Sequence, residues 1–505
     1  MKSLAYFSAA LCAPFALLGE SVTWKGPSGG LWGEPANWST EAVPTGESDV
    51  TVDKTETTVS VASAARAKSV SLKNQNANMS IAADMSVAGE FTVGAAGGKA
   101  NAVDQSAGAV TVGGTLTLGK GNGTWAVWDA YGEGTSLSAA KVNAVEYRGA
   151  AACGLTVRDG ATATISGTVE LGHEGAKGAT PPGTGYLKVL DGSDVTINTL
   201  YFVKSGHGLV DVSNATLTVT ETIRGDGSAA PSLGLDYSTF NVWDGGVVNA
   251  KAIAYSQYKS WHEQMIQWPG SKVTTSAIRL SGENQGGTGG AGDIRYIVNG
   301  GELQVSGSVN VGCNGQAEFL MHGGTTEVTG SVYVDNLRDV YDADGVLQTR
   351  YNPSKISFAG SAVFSASNGT LLMNARDSSR NVRGGRVALE LSGGLFDATV
   401  KKLDWVKVTQ NPEQSILANL DRTGLAPLKV SGDVVFNTPI TVVPTATKDA
   451  EAGDYPILVW GGSLSGAENV SLDESARARW KLAVDESGKR IVLRYRKPGL
   501  ALIVR

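Results

Sequence analysis

Short runs that alternate apolar and polar residues dominate this chain. Leu303 and Val305 alternate with Gln304 and Ser306, and Val309 and Val311 alternate with Ser308 and Asn310. A period of two predicts strands that bury one face each. Gly or Asp-Gly closes each run, as at Asp159-Gly160, Asp191-Gly192, Asp244-Gly245 and Gly323-Gly324. Those residues tolerate the positive φ that a sharp corner needs. Corners lie 22 or 23 residues apart in the tight copies (Gly192 to Asn214, Gly301 to Gly324) and 32 apart from Gly160 to Gly192. Strands this short cannot enclose a core alone, so successive turns must stack. The expected fold is all-β, a right-handed parallel β-helix. Few hairpin turns with matched flanks are visible, and this sets a β-sandwich or propeller behind it.

Segments that leave the repeat divide the chain. Residues 1–19 carry Lys2 and then an apolar stretch from Leu4 to Leu18, ending at Gly19. This pattern predicts a signal peptide, too short to span a bilayer. Residues 20–53 hold Trp24, Trp32 and Trp38, an aromatic cluster suited to capping the N-terminal end of a solenoid spanning 54–440. Within 255–292, Ser256 is expected to cap a short helix with Tyr258, Trp261, Met265 and Trp268 on one face, followed by a Gly-rich linker at 286–292. Residues 441–505 are expected to close the C-terminal end. There Trp480, Leu482 and Val484 face Ile491, Leu493 and Tyr495 across Glu486–Lys489, an amphipathic hairpin.

The Trp24-x-Gly26, Gly30-x-Trp32 and Asn37-Trp38 elements followed by Gly-rich repeats resemble secreted bacterial solenoids with autotransporter-associated β-strand repeats. Gly453-Asp-Tyr455-Pro-Ile457 and Val492-Leu493-Arg494-Tyr495 are similar to the ends of such passenger-like proteins. The resemblance implies secretion or surface exposure rather than an activity. No room is left after the solenoid for a membrane barrel, so no transmembrane span is expected once the signal is removed.

Composition narrows the function. The chain has 65 glycines among 505 residues and a net charge of -6. An acidic surface excludes nucleic acid as a partner, because phosphate contacts need basic residues. Cys153 and Cys313 remain after Cys12 leaves with the signal. At the tight repeat length they are about seven turns apart, roughly 30 Å, beyond the ~7 Å reach of a disulfide.

Candidate chemistry is sparse. Gly206-His207-Gly208 resembles a tripeptide of polygalacturonase-type hydrolases but lacks the paired carboxylates that such chemistry needs. Asp339, Asp342 and Asp344 offer only part of a calcium shell. His173, His262 and His322 form no metal-binding pattern, so no metal and no cofactor are expected. Arg376, Arg380, Arg383 and Arg386 could grip acidic sugars, and Tyr258, Trp261 and Trp268 could stack on sugar rings. The glycan-contact candidates are therefore Tyr258, Trp261, Trp268, Arg380 and Arg383. The expected function is that of an exported, non-catalytic surface, adhesive or scaffold protein whose partners are glycans or cell-surface components. A secreted polysaccharide lyase or glycoside hydrolase on the same fold, or a glycan-binding module, is the alternative.

Overall fold

The computed structural model describes residues 19–497, apart from 96–99, 121–123, 147–151, 174–183, 203–206, 227–237, 257–262, 283–293, 313–316, 336–339, 342–346, 350–352, 374–385 and 408–413. Its strands stack in parallel as a β-solenoid. Each full rung has three columns. The first column holds strands such as Trp125–Tyr131, Ala152–Arg158 and Thr184–Leu190. The second and third are often two halves of one bent strand, as in Thr162–His173, whose register with its neighbour shifts between Ile165 and Thr168. The first-column ladder runs unbroken from Gly30–Leu31 to Val470–Leu472.

Alternation explains the packing. Val103, Trp128, Leu155, Leu187, Val210 and Phe240 lie in successive register and are at most 1% exposed. A parallel stack places like positions ~4.8 Å apart, so one inward position per rung builds a continuous apolar column. The first corner stacks on itself as well: Gly160 N–H donates to Asp191 O at 3.0 Å and Gly192 N–H to Asn214 O at 2.6 Å.

Both ends are sealed. Trp38 meets Trp24 and Trp32 edge-on, each with ring centroids 4.8 Å apart, and its indole N–H donates to Trp32 O at 2.7 Å. At the other end, Arg490–Tyr495 pairs antiparallel with both Gly453–Trp460 and Trp480–Asp485. Trp480 lies opposite Tyr495, Leu482 opposite Leu493 and Val484 opposite Ile491, the facing pairs read from the sequence. An antiparallel strand on the last rung ends the parallel ladder.

Two expectations change. Residues 263–282 form no helix: Glu263–Gln267, Lys272–Thr275 and Ile278–Gly282 are the three strands of an ordinary rung. Met265 points into the core and is fully buried, while Ile266 and Trp268 sit on outward positions. Strand alternation prevails over helical spacing there because the rungs on either side present open backbone ladders that only a strand can satisfy. The rest of that proposed helix, 257–262, and the Gly-rich linker lie outside the described residues. The parallel stack also continues beyond 440, through Ile440–Ala446, Gly453–Trp460 and Val470–Leu472. Pro444 and Pro456 interrupt the alternation in that stretch and conceal it.

Away from the end rungs, the return from the third column to the next first column is where rungs differ most in length; the first corner is long only near the ends, at 32–47, 421–427 and 447–452. The return takes three residues at 437–439 and nineteen at 335–353, where Val340–Tyr341 and Leu347–Thr349 form a small antiparallel pair. Every internal segment outside the described residues falls on this return.

Candidate functional site

The outward side of the first column is polar over most of its length, and this is the usual condition of a solvated strand face. Apolar residues recur on it, as at Val127, Leu209, Leu417 and Val443, and three successive rungs carry them in one row. Ile266, Ile297 and Leu320 occupy one outward position in direct register and are half-buried. Beside them, at the first corner, runs a second row: Trp243, Trp268, Asn299 and His322. The backbone N–H of each donates to the rung before it, at 2.8–2.9 Å. An apolar floor thus lies along the solenoid axis with an aromatic and polar wall on one side.

The wall is held in place by specific contacts. The Trp243 and Trp268 rings stack with centroids 4.9 Å apart and planes 5° from parallel. Ring atoms in contact need only ~3.5–4.0 Å between planes, so the two rings slip past each other and overlap only in part. Trp243 is 37% exposed. Its indole N–H donates to Asp211 Oδ1 at 3.0 Å, and Asn241 Nδ2 donates to the same oxygen at 3.0 Å. His322 Nδ1 and Asn299 Oδ1 lie 3.1 Å apart. Burial holds His322 below the usual histidine range, so it is neutral at pH 7.

The opposite border carries charge, and the charges are matched. Gln264, Arg295, Glu318 and Lys355 follow one another in register. Arg295 Nε lies 2.9 Å from Glu318, and Lys355 Nζ lies 3.5 Å from Glu318 and 2.9 Å from Glu390. Glu390 accepts a further bond from Asn419 Nδ2 at 2.9 Å. Each cation on this border therefore already faces a carboxylate.

A second cluster lies nearer the N-terminus on the same face. Asp104 and Asp129 are register neighbours. Arg158 Nη2 reaches Asp129 at 2.8 Å and its guanidinium stacks 4.5 Å from the Tyr131 ring centre. Partial burial and the neighbouring Asp129 charge raise the Asp104 pKa above the ordinary value. Among the described residues, no group of three or more His, Cys, Asp or Glu is placed to hold a metal ion.

Of the residues singled out from sequence, Trp268 falls in the strip. Tyr258, Trp261, Arg380 and Arg383 lie outside the described residues, as do Arg376, His262, Asp339, Asp342, Asp344 and Cys313. His207 opens the strand His207–Ser213 and His173 ends Thr162–His173, with their side chains outside the description. Cys153 is buried, its thiol 3.1 Å from Thr124 O. The strand Val309–Val311, just before Cys313, lies five rungs further on, about 24 Å at ~4.8 Å per rung. The seven turns expected from the tight repeat overcount, because the longer returns use up residues without adding rungs. The floor residues escaped the sequence reading, although a signal exists. Met265-Ile266, Tyr296-Ile297 and Phe319-Leu320 place apolar residues side by side, and in an alternating strand one of each pair must face outward.

Comparison with protein-family models, with curated proteins and with solved structures finds no match. Among the described residues, no helix is long and apolar enough to cross a membrane.

Proposed function

We propose that this chain is an exported, non-catalytic solenoid that serves as an adhesive or scaffold outside the cytoplasm and holds glycans or other cell-surface components on its first face. The observation that carries the reading is the strip of Ile266, Ile297 and Leu320 beside stacked Trp243 and Trp268. Outward aliphatics cost solubility and add nothing to the core, so a contact surface is the economical reason for three in register. Stacked indoles bring large rigid area at low entropic cost. The apolar N-terminal stretch and the resemblance to secreted passenger-like solenoids support export. The test is retention of the purified full chain on intact cells and on insoluble cell-wall glycans. Wild-type protein is expected to be retained, and Trp243→Ala with Trp268→Ala to lose most of that retention. Equal retention of the double variant would remove the strip from the function.

A second reading, a glycoside hydrolase, has one observation in its favour. Asp104 and Asp129 are register neighbours, and Asp104 is pushed toward its protonated form by partial burial and by Asp129; glycoside hydrolysis works with a pair of carboxyl groups of which one is held protonated. Reducing ends released from a glycan panel by the wild type, and abolished by Asp104→Asn, would favour that reading.

A further inference from the structure

We infer that the strip binds an uncharged polysaccharide laid along the solenoid axis and rejects uronic-acid polymers. The inference rests on the adhesive reading above and adds the class of ligand. The floor of Ile266, Ile297 and Leu320 runs parallel to the axis, so the ligand that covers it best is long, narrow and apolar on one face. A pyranose chain has that shape, with C–H groups on its ring faces and hydroxyls around its edge. Polar groups at one end and one side supply what the edge needs: Asp211 and Asn241, which precede Ile266 in the floor's own register row, and Asn299 of the wall accept from or donate to hydroxyls. Partial overlap of Trp243 and Trp268 leaves indole surface for a sugar ring to lie against.

Charge then decides between sugar classes. A uronate would have to shed water and find a cation. The bordering cations Arg295 and Lys355 are engaged by Glu318 and Glu390 at 2.9–3.5 Å. His322 is neutral at pH 7. Lys188, the register neighbour of Asp211, leans over the Tyr186 ring at 5.4 Å on the far side of Asp211 from the floor. Among the described residues Asp211 accepts from neutral donors, Asn241 and Trp243, and would repel a uronate. A neutral chain meets none of these costs.

The experiment is affinity electrophoresis of the full chain at pH 7 in gels holding β-glucan, mannan, xylan, polygalacturonate or alginate. At least one neutral polymer is expected to retard the wild type, and neither uronan to do so. Trp243→Ala and Ile297→Asp should each weaken the neutral interaction by tenfold or more. Glu318→Gln combined with Glu390→Gln releases Arg295 and Lys355 and should create uronan retardation, a gain that misfolding does not mimic. Uronan retardation of the wild type above that of every neutral polymer would overturn the charge argument while leaving the adhesive reading standing. Retention on cells with no retardation by any polymer would overturn the glycan class alone. Neutral binding untouched by both strip variants would place the site elsewhere.

Discussion

At the scale of single residues, the corners show how tightly rungs are laid on one another. Gly324 has φ +71°, and a Cβ built there would stand 2.4 Å from Gly301 O, itself at a corner of φ +76°. Both the left-handed backbone and the contact with the previous rung exclude a side chain. Gly324→Ala is therefore expected to destabilise the solenoid by about 1–3 kcal/mol, measured as a lower urea midpoint. Asn214→Gly, at φ +46°, should be near neutral, because it relaxes the same backbone demand. A midpoint for Gly324→Ala equal to wild type would contradict the stacked-corner geometry. These corners were legible from Gly and Asn alone. The outward floor was not, because an aliphatic residue looks the same in a sequence whether it faces core or solvent, and only the register fixes the face.

At the scale of elements, the C-terminal hairpin is a lid whose grip depends on pH. The N–H of Gly488, the hydroxyl of Ser487 and the Arg490 guanidinium hold the Asp485 carboxyl down at about 2. An unfolded aspartate titrates near ~3.9. A depressed carboxyl binds protons less readily when folded, so its contribution is full above the unfolded value and is lost as pH falls toward 2. Asp454, held low chiefly by Arg494, acts in the same direction on the adjoining strand. Cleavage of the hairpin by an acid-active protease should rise between about pH 4 and pH 2, with Asp485→Asn already susceptible at pH 4. A profile flat over that interval would show that the turn does not secure the lid. The pairing of this hairpin could be read from its amphipathic pattern, since both strands and the turn are adjacent in sequence. Over 263–268 the expected helix failed for the opposite reason: the strand partners of that segment lie 25 residues before and 31 after, as Met265 pairs with Phe240 and Tyr296, and no local window contains them.

At the scale of the whole molecule, each rung touches only its neighbours, so stability is a sum of rung and interface contributions rather than one cooperative core. Damage at one end should stay near that end. Trp38 is fully buried against Trp24 and Trp32, and Trp38→Ala removes a contribution of about 3–5 kcal/mol. Hydrogen exchange should accelerate first in Ser48–Val52, Thr57–Val61 and Ala77–Ile81 while Gln414–Leu420 stays protected; uniform acceleration would argue for a single cooperative unit. The concentration of length variation in one return per rung, away from the two ends, has an evolutionary consequence. In the middle rungs two short corners and three strand columns keep to one grid, yet the third corner can be rewritten without disturbing it. Doubling a loop costs only ~0.6 kcal/mol in closure entropy, whereas one residue added inside a strand would turn its apolar set outward. Ten residues inserted in the 408–413 return should leave the urea midpoint nearly unchanged, and the same ten placed within Ile294–Val298, between Tyr296 and Ile297, should collapse it. The chain is thus built like a shelf of interchangeable cassettes, in which new surface can be tried at a chosen height while the rack that carries it stays as it was.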